Sequence, residues 1–197
     1  MATLLLIETA DEVCSVGISV DGLVASIEEV REKNAHSRLI NTLIKEAVQK
    51  ASVSFSDLDA AVVSKGPGSY TGLRIGTATA KALCFALDIP LISVNTLSSL
   101  ANNFVLQNEI EQGTFLMPML DARRMEVYTA QFNAELNQVE PTTALVLTEE
   151  SILDWTKDKK VLMFGNGSVK CKALVENLSQ VEVIENVYPS IKGMVNV

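Results

Sequence analysis

Ser64-Lys65-Gly66-Pro67-Gly68-Ser69-Tyr70-Thr71-Gly72-Leu73-Arg74-Ile75-Gly76 carries the chain out of a short apolar run and straight into a helix. Gly66 and Gly68 bracket Pro67, so the backbone can take positive φ on either side of a fixed one, and no helix starts before Ser69. Ser69 or Thr71 then supplies the N-cap hydroxyl of a helix predicted to run to about Leu87. Two readings of this loop stay open. It is a tight strand-to-helix connection, or its unpaired backbone N–H groups at a positive helix end hold an anion. The pattern is neither G-x-G-x-x-G nor a P-loop ending in Lys-Ser/Thr, so alone it does not indicate a nucleotide.

The helix that follows is nearly apolar. From Gly72 to Leu87 its only charges are Arg74 and Lys81, seven residues apart on one stripe with Thr77 and Thr79 nearby. A helix wetted along so little of its surface is covered on two sides, by its own sheet and by a second body. That body is a neighbouring helix of the same domain or another molecule. Gly72, Gly76, Ala80 and Cys84 recur every fourth residue, a row along which another backbone can approach closely.

Upstream of the loop, Leu4 to Glu8 reads as a buried strand. Val13 to Val20 alternates, and Asp21-Gly22 closes a hairpin into Leu23 to Val30, so three antiparallel strands open the protein. Leu39, Ile40, Leu43, Ile44, Ala47 and Val48 repeat at helical spacing from about Ser37 to Ala51. Ala60 to Val63 is a buried strand, Ile89-Pro90 stops the near-apolar helix, and Leu91 to Val94 is a further strand. The order β-β-β-α-β-α-β is that of the ribonuclease-H-like core. Downstream the same order recurs: strands at Phe115–Leu120, Met125–Phe132 and Thr142–Leu147, a helix at Glu149–Trp155, a strand at Val161–Phe164, a helix at Ser168–Leu178 and a strand at Val181–Ile184. The expected architecture is therefore α/β, two ribonuclease-H-like domains in tandem. Residues 1–107 form the first, with a connecting helix from Leu97 to Gln107, and 108–197 form a smaller second one whose final helix is cut short.

The 197 residues carry a net charge of -8 and are 48% hydrophobic. That content is ample for a packed core. The acidic balance argues against a main nucleic-acid-binding surface, which needs clustered Lys and Arg. Met1 to Thr9 reads as a strand and not a signal peptide, and no apolar run approaches membrane-spanning length. Cys14, Cys84 and Cys171 lie far apart in apolar patterns, as expected for reduced cysteines of a cytoplasmic protein.

His36 is the single histidine. It reads as a surface or cap residue, and without clustered cysteines no ordinary zinc or iron site can be assembled, so no metal and no cofactor is expected. A Ser-His-acid set lacks support, there being no G-x-S-x-G elbow. Glu8, Asp11 and Asp121 sit at strand-to-strand turns, where active members of such double folds hold magnesium. The first turn here, Thr9-Ala10-Asp11-Glu12, has no glycine to admit a phosphate, and no catalytic residue is assigned.

Leu6-Ile7-Glu8-Thr9, His36-Ser37-Arg38-Leu39, the Lys65–Gly76 string, Asp121-Ala122-Arg123-Arg124-Met125-Glu126-Val127-Tyr128 and Gly165-Asn166-Gly167-Ser168 together resemble the bacterial TsaB family, also called YeaZ. Glu8 stands where that family usually has Asp. The resemblance implies an actin- and Hsp70-like ATPase fold and a role in making threonylcarbamoyladenosine beside the tRNA anticodon. Within that pathway it implies a non-catalytic relative of TsaD, the metal-bearing transferase. Where TsaD-like proteins read V-N-H-x-x-x-H, this chain reads Val94-Asn95-Thr96-Leu97-Ser98-Ser99-Leu100.

The resemblance further implies pairing with TsaD, or with a second copy when alone, through a bundle built from the two first-domain helices. The implied interface residues are Arg38, Leu39, Thr42, Leu43 and Glu46 on the first helix, with Tyr70, Leu73, Arg74, Thr77 and Lys81 on the second. Gly66, Pro67, Gly68 and Gly72 form the structural loop. The ATPase TsaE is implied as a third partner, and the competing readings are a metal-dependent glycoprotease and a nucleotide-binding phosphotransferase.

Overall fold

In the computed structural model, which describes residues 2–32 and 35–195, the alternation after Val13 yields the expected hairpins. β1 (Thr3–Glu8), β2 (Cys14–Val20) and β3 (Leu23–Val30) pair antiparallel. Asp21 and Gly22 between β2 and β3 have φ of 50° and 78°, left-handed conformations that Asp and Gly tolerate in hairpin turns. α1 (Ala35–Lys50), β4 (Ala60–Ser64), α2 (Tyr70–Leu87) and β5 (Leu91–Val94) follow. β4 runs parallel to β1 and β5 parallel to β4, so the sheet order is β3-β2-β1-β4-β5.

The same arrangement recurs after α3 (Thr96–Val105). β6 (Thr114–Asp121), β7 (Glu126–Phe132) and β8 (Gln138–Val146) form the antiparallel part, then come α4 (Glu149–Thr156), β9 (Lys160–Phe164), α5 (Lys172–Val175) and β10 (Val181–Ile184). The order is β10-β9-β6-β7-β8, with β9 parallel to β6 and β10 parallel to β9. The helix expected over Ser168–Leu178 is instead a 3-10 turn, Ser168–Cys171, followed by the single turn of α5. Its start is tied to β6, because Gly167 N donates to Met119 O and the Ser168 hydroxyl to Gly165 O.

The apolar stripe of α1 explains the main core of the first sheet. Ile40, Ile44 and Ala47 pack with Leu5, Ile7 and Val16 on one face. On the other, Leu6 and Val62 meet Ile191 and Met194, which come from the far end of the chain.

That contact corrects the expected domain limits of 1–107 and 108–197. One compact unit takes the chain as far as Ser99 together with the segment from Pro189, and the other runs from Leu100 to Tyr188. The boundary falls inside α3 because its later residues belong to the second core: the Phe104 ring stacks on Phe164 at 4.2 Å. The returning segment is anchored by polar contacts. Ile191 N donates to Ser15 Oγ at 3.1 Å, while Ser15 and Ser190 hydroxyls both donate to Glu29 Oε1. Where a final helix was expected to begin, Ser190 caps one 3-10 turn, Ile191–Met194.

Candidate partner-binding face

The α2 N-terminus is fixed by the glycine loop. Gly66 and Gly68 take φ of 102° and 148°, and the cap is Ser69, whose hydroxyl accepts from Gly72 N at 3.2 Å. Lys65 N donates to Val94 O and Ser69 N to Ala10 O, so these two amides of the loop serve the fold.

The row of small residues turns inward. A Cβ on Gly68 would lie 2.3 Å from Ala10 O, one on Gly72 2.1 Å from Thr9 O, and one on Gly76 2.2 Å from Thr9 Oγ1. The backbone that approaches α2 so closely is the chain's own turn between β1 and β2, not that of another molecule. α1 packs along a second side, so the same-domain helix supplies part of the cover.

The outer face stays open. Tyr70, Arg74 and Lys81 are exposed, Leu73 and Thr77 are half-buried, and with Ala78 these six line a shallow groove of about 440 Å³. The Arg74 guanidinium lies over the Tyr70 ring, 4.7 Å from its centroid, so the two side chains stiffen each other. Phe85, one turn beyond Lys81, is 93% exposed. The sequence reading missed it, although its spacing from Lys81 and Thr77 was the available signal. This large aromatic extends the apolar margin of the groove.

On α1 the expected residues separate. Thr42 and Glu46 are exposed, Arg38 is exposed and paired with Glu32 at 2.6 Å, and Leu39 is half-buried against the core. Leu43 is not part of the surface: it is 5% exposed and belongs to the sheet-facing core. An apolar residue on the face that carries Ile40, Ile44 and Ala47 is taken up by its own sheet.

Of the acids at the turns, Glu8 is fully buried at the end of β1. Its Oε1 accepts from Ala10 N at 2.7 Å, and Oε2 has no partner in hydrogen-bond geometry. Burial pushes its pKa up to about 7, against the opposing pull of the Ala10 N–H, the neighbouring Ser64 hydroxyl and the Thr9 N–H, with Asp11 adding a small upward push. Ser64 acts as a polar neighbour, since neither its hydroxyl nor Oε2 completes a hydrogen bond. Between the ordinary value of 4.5 and about 7 the folded chain binds more protons at Glu8 than the unfolded chain does. Stability therefore falls as pH rises through that window, and the full penalty of about 3 kcal/mol is present above it. Glu8→Gln removes the titration and is expected to flatten this slope in urea unfolding between pH 5 and pH 8; an unchanged slope would count against it.

Among the described residues no three His, Cys, Asp or Glu side chains gather as a possible metal site. Cys14, Cys84 and Cys171 are buried and unpaired. Among the described residues no helix is long and apolar enough to cross a membrane.

The family model described as "TsaD: tRNA N6-adenosine threonylcarbamoyltransferase" matches residues 28–189. The chain is 32% identical to the tRNA threonylcarbamoyladenosine biosynthesis protein TsaB of Bacillus subtilis, over 89% of this chain and 76% of that protein. It is 32% identical to Escherichia coli TsaB over 74% of this chain, where the match spans 63% of the relative's length. Among solved structures, YeaZ from Pseudomonas aeruginosa superimposes with a TM-score of 0.79 at 24% identity, covering 98% of this chain and 89% of that one. A more distant likeness in fold is to the activator of 2-hydroxyisocaproyl-CoA dehydratase from Clostridium difficile, with a TM-score of 0.53 at 10% identity, over 98% of this chain and 91% of that one.

Proposed function

The chain belongs to the TsaB family, and on that premise we propose that it is a non-catalytic subunit supporting threonylcarbamoyl transfer to the adenosine beside the tRNA anticodon. It pairs with TsaD through the outer face of α2 and the exposed side of α1, and acts with TsaE in the cytoplasm. The observation that carries this reading is the open groove at Tyr70, Leu73, Arg74, Thr77, Ala78 and Lys81, extended by exposed Phe85. Aromatic and arginine side chains of this kind anchor protein interfaces, with charges such as Lys81 at the rim.

The non-catalytic part is supported by Asn95-Thr96-Leu97-Ser98-Ser99-Leu100. Asn95 Oδ1 accepts from Leu97 N at 2.8 Å as a cap for α3, while Thr96 and Leu100 are buried. These positions, where TsaD-like proteins place histidines, serve helix capping and packing here.

The test is titration calorimetry with cognate TsaD. Arg74→Glu combined with Lys81→Glu is expected to weaken pairing by about 30-fold or more, the scale of a lost hot spot, with unchanged circular dichroism and melting temperature. Normal pairing by the folded double variant would refute the assignment, and self-association without TsaD binding would turn it toward a homodimer.

A further inference from the structure

The turn between β6 and β7 spends an unusual conformation on two arginines. Arg123 and Arg124 have φ of 70° and 44°, the left-handed region that Gly, Asn and Asp take most readily and that costs other residues about 1–2 kcal/mol each in local strain. The chain provides its own comparison at Asp21-Gly22, where consecutive positive φ values fall on residues suited to them.

The turn is also firmly held. Asp121 N donates to Asn166 Oδ1 at 2.7 Å, and Ala122 N donates to Glu126 O at 3.2 Å. Gly167 packs so closely that a Cβ there would sit 2.9 Å from Leu120 C. Asp121, at the head of the turn, is already engaged: its Oδ1 accepts from Arg123 N at 2.5 Å and from Lys170 Nζ at 2.8 Å. Both arginines are exposed, and among the described residues neither guanidinium has an ion-pair partner. In a chain of net charge -8, two adjacent unneutralised guanidiniums on a rigid turn stand out.

Their surroundings indicate the chemistry of the partner. Met125, directly after them, is 49% exposed, and its backbone is fixed by Leu147 N donating to Met125 O. Two arginines and an exposed methionine match the composition of protein interfaces. An RNA strand would need more cations than these and would meet the repulsion of an acidic chain. We propose that the β6–β7 turn is a second docking site, at which Arg123 and Arg124 receive carboxylates of an acidic protein surface while Met125 receives an apolar side chain beside them. This rests on the chain being a subunit of a complex, but not on the α2 face being one of its surfaces.

The test is the double variant Arg123→Asn with Arg124→Gly, which removes both charges and installs residues suited to the turn. The melting temperature is expected to rise by about 2–4 °C. Affinity for purified TsaD or purified TsaE, measured separately by calorimetry, is expected to fall at least tenfold for one of them, and the salt dependence of that binding to flatten. A charge-reversed variant, Arg123→Glu with Arg124→Glu, should lower the same affinity further. Unchanged affinity for both proteins overturns the proposal, as does a loss confined to tRNA binding. A melting temperature that stays level or falls removes its premise. The Arg74→Glu, Lys81→Glu variant run alongside fails or succeeds independently, so the two surfaces are separated.

Discussion

Gly72→Ala is expected to destabilise the protein by about 3 kcal/mol or more, beyond the usual cost of overpacking, because backbone blocks the added methyl. Alanine is ordinarily the better helix former by about 1 kcal/mol, so the predicted sign is opposite to that of helix propensity. The new Cβ would lie 2.1 Å from Thr9 O. Neither side can yield cheaply: the turn at Thr9-Ala10 is pinned by Ser69 N donating to Ala10 O at 2.6 Å, and α2 is pinned by the same bond at its cap. Urea unfolding checks the effect, and a change within 1 kcal/mol of wild type would show that α2 can slide away from the turn.

Leu43→Asp is expected to cost more than 4 kcal/mol and to abolish folding at moderate temperature, whereas Thr42→Asp next to it should change stability by no more than about half a kcal/mol. Both sit on the exposed-looking first helix, yet Leu43 is 5% exposed and Thr42 faces water. Removing the isobutyl group leaves a cavity, and the carboxylate brings an unpaired charge into it. Denaturant midpoints of the two variants decide the matter. If Leu43→Asp is as stable as Thr42→Asp, Leu43 belongs to a partner contact after all.

These residues show how far the sequence could be read. The loop from Gly66 to Gly72 was legible because proline and glycine act locally: the positive φ values and the Ser69 cap follow from the residues themselves. The order of strands and helices was legible from periodicity. Which side of α1 meets the sheet was legible too, since Ile40, Leu43, Ile44 and Ala47 mark it, but assigning Leu43 to an outside contact ran against that mark. The row Gly72, Gly76, Ala80 and Cys84 announced a close approach without saying whose backbone approaches, because small residues record distance and not identity. Phe85 was hidden by the general greasiness of α2, where one more apolar residue carries little information. The left-handed arginines could not be seen at all, since nothing in Arg-Arg favours positive φ and only the pairing of β6 with β7 imposes it.

The return of Pro189–Met194 to the first unit has a consequence for biosynthesis. β1 to β5 are synthesised before the segment that carries Ile191 and Met194, so the surface around Leu6 and Val62 lacks these covering side chains until the second unit has been translated. For the time the ribosome takes to make some ninety intervening residues, at roughly 5–20 residues per second, one greasy side of the newborn sheet faces water unshielded. The order of emergence from the tunnel therefore leaves the first unit dependent on a segment made only after the second unit.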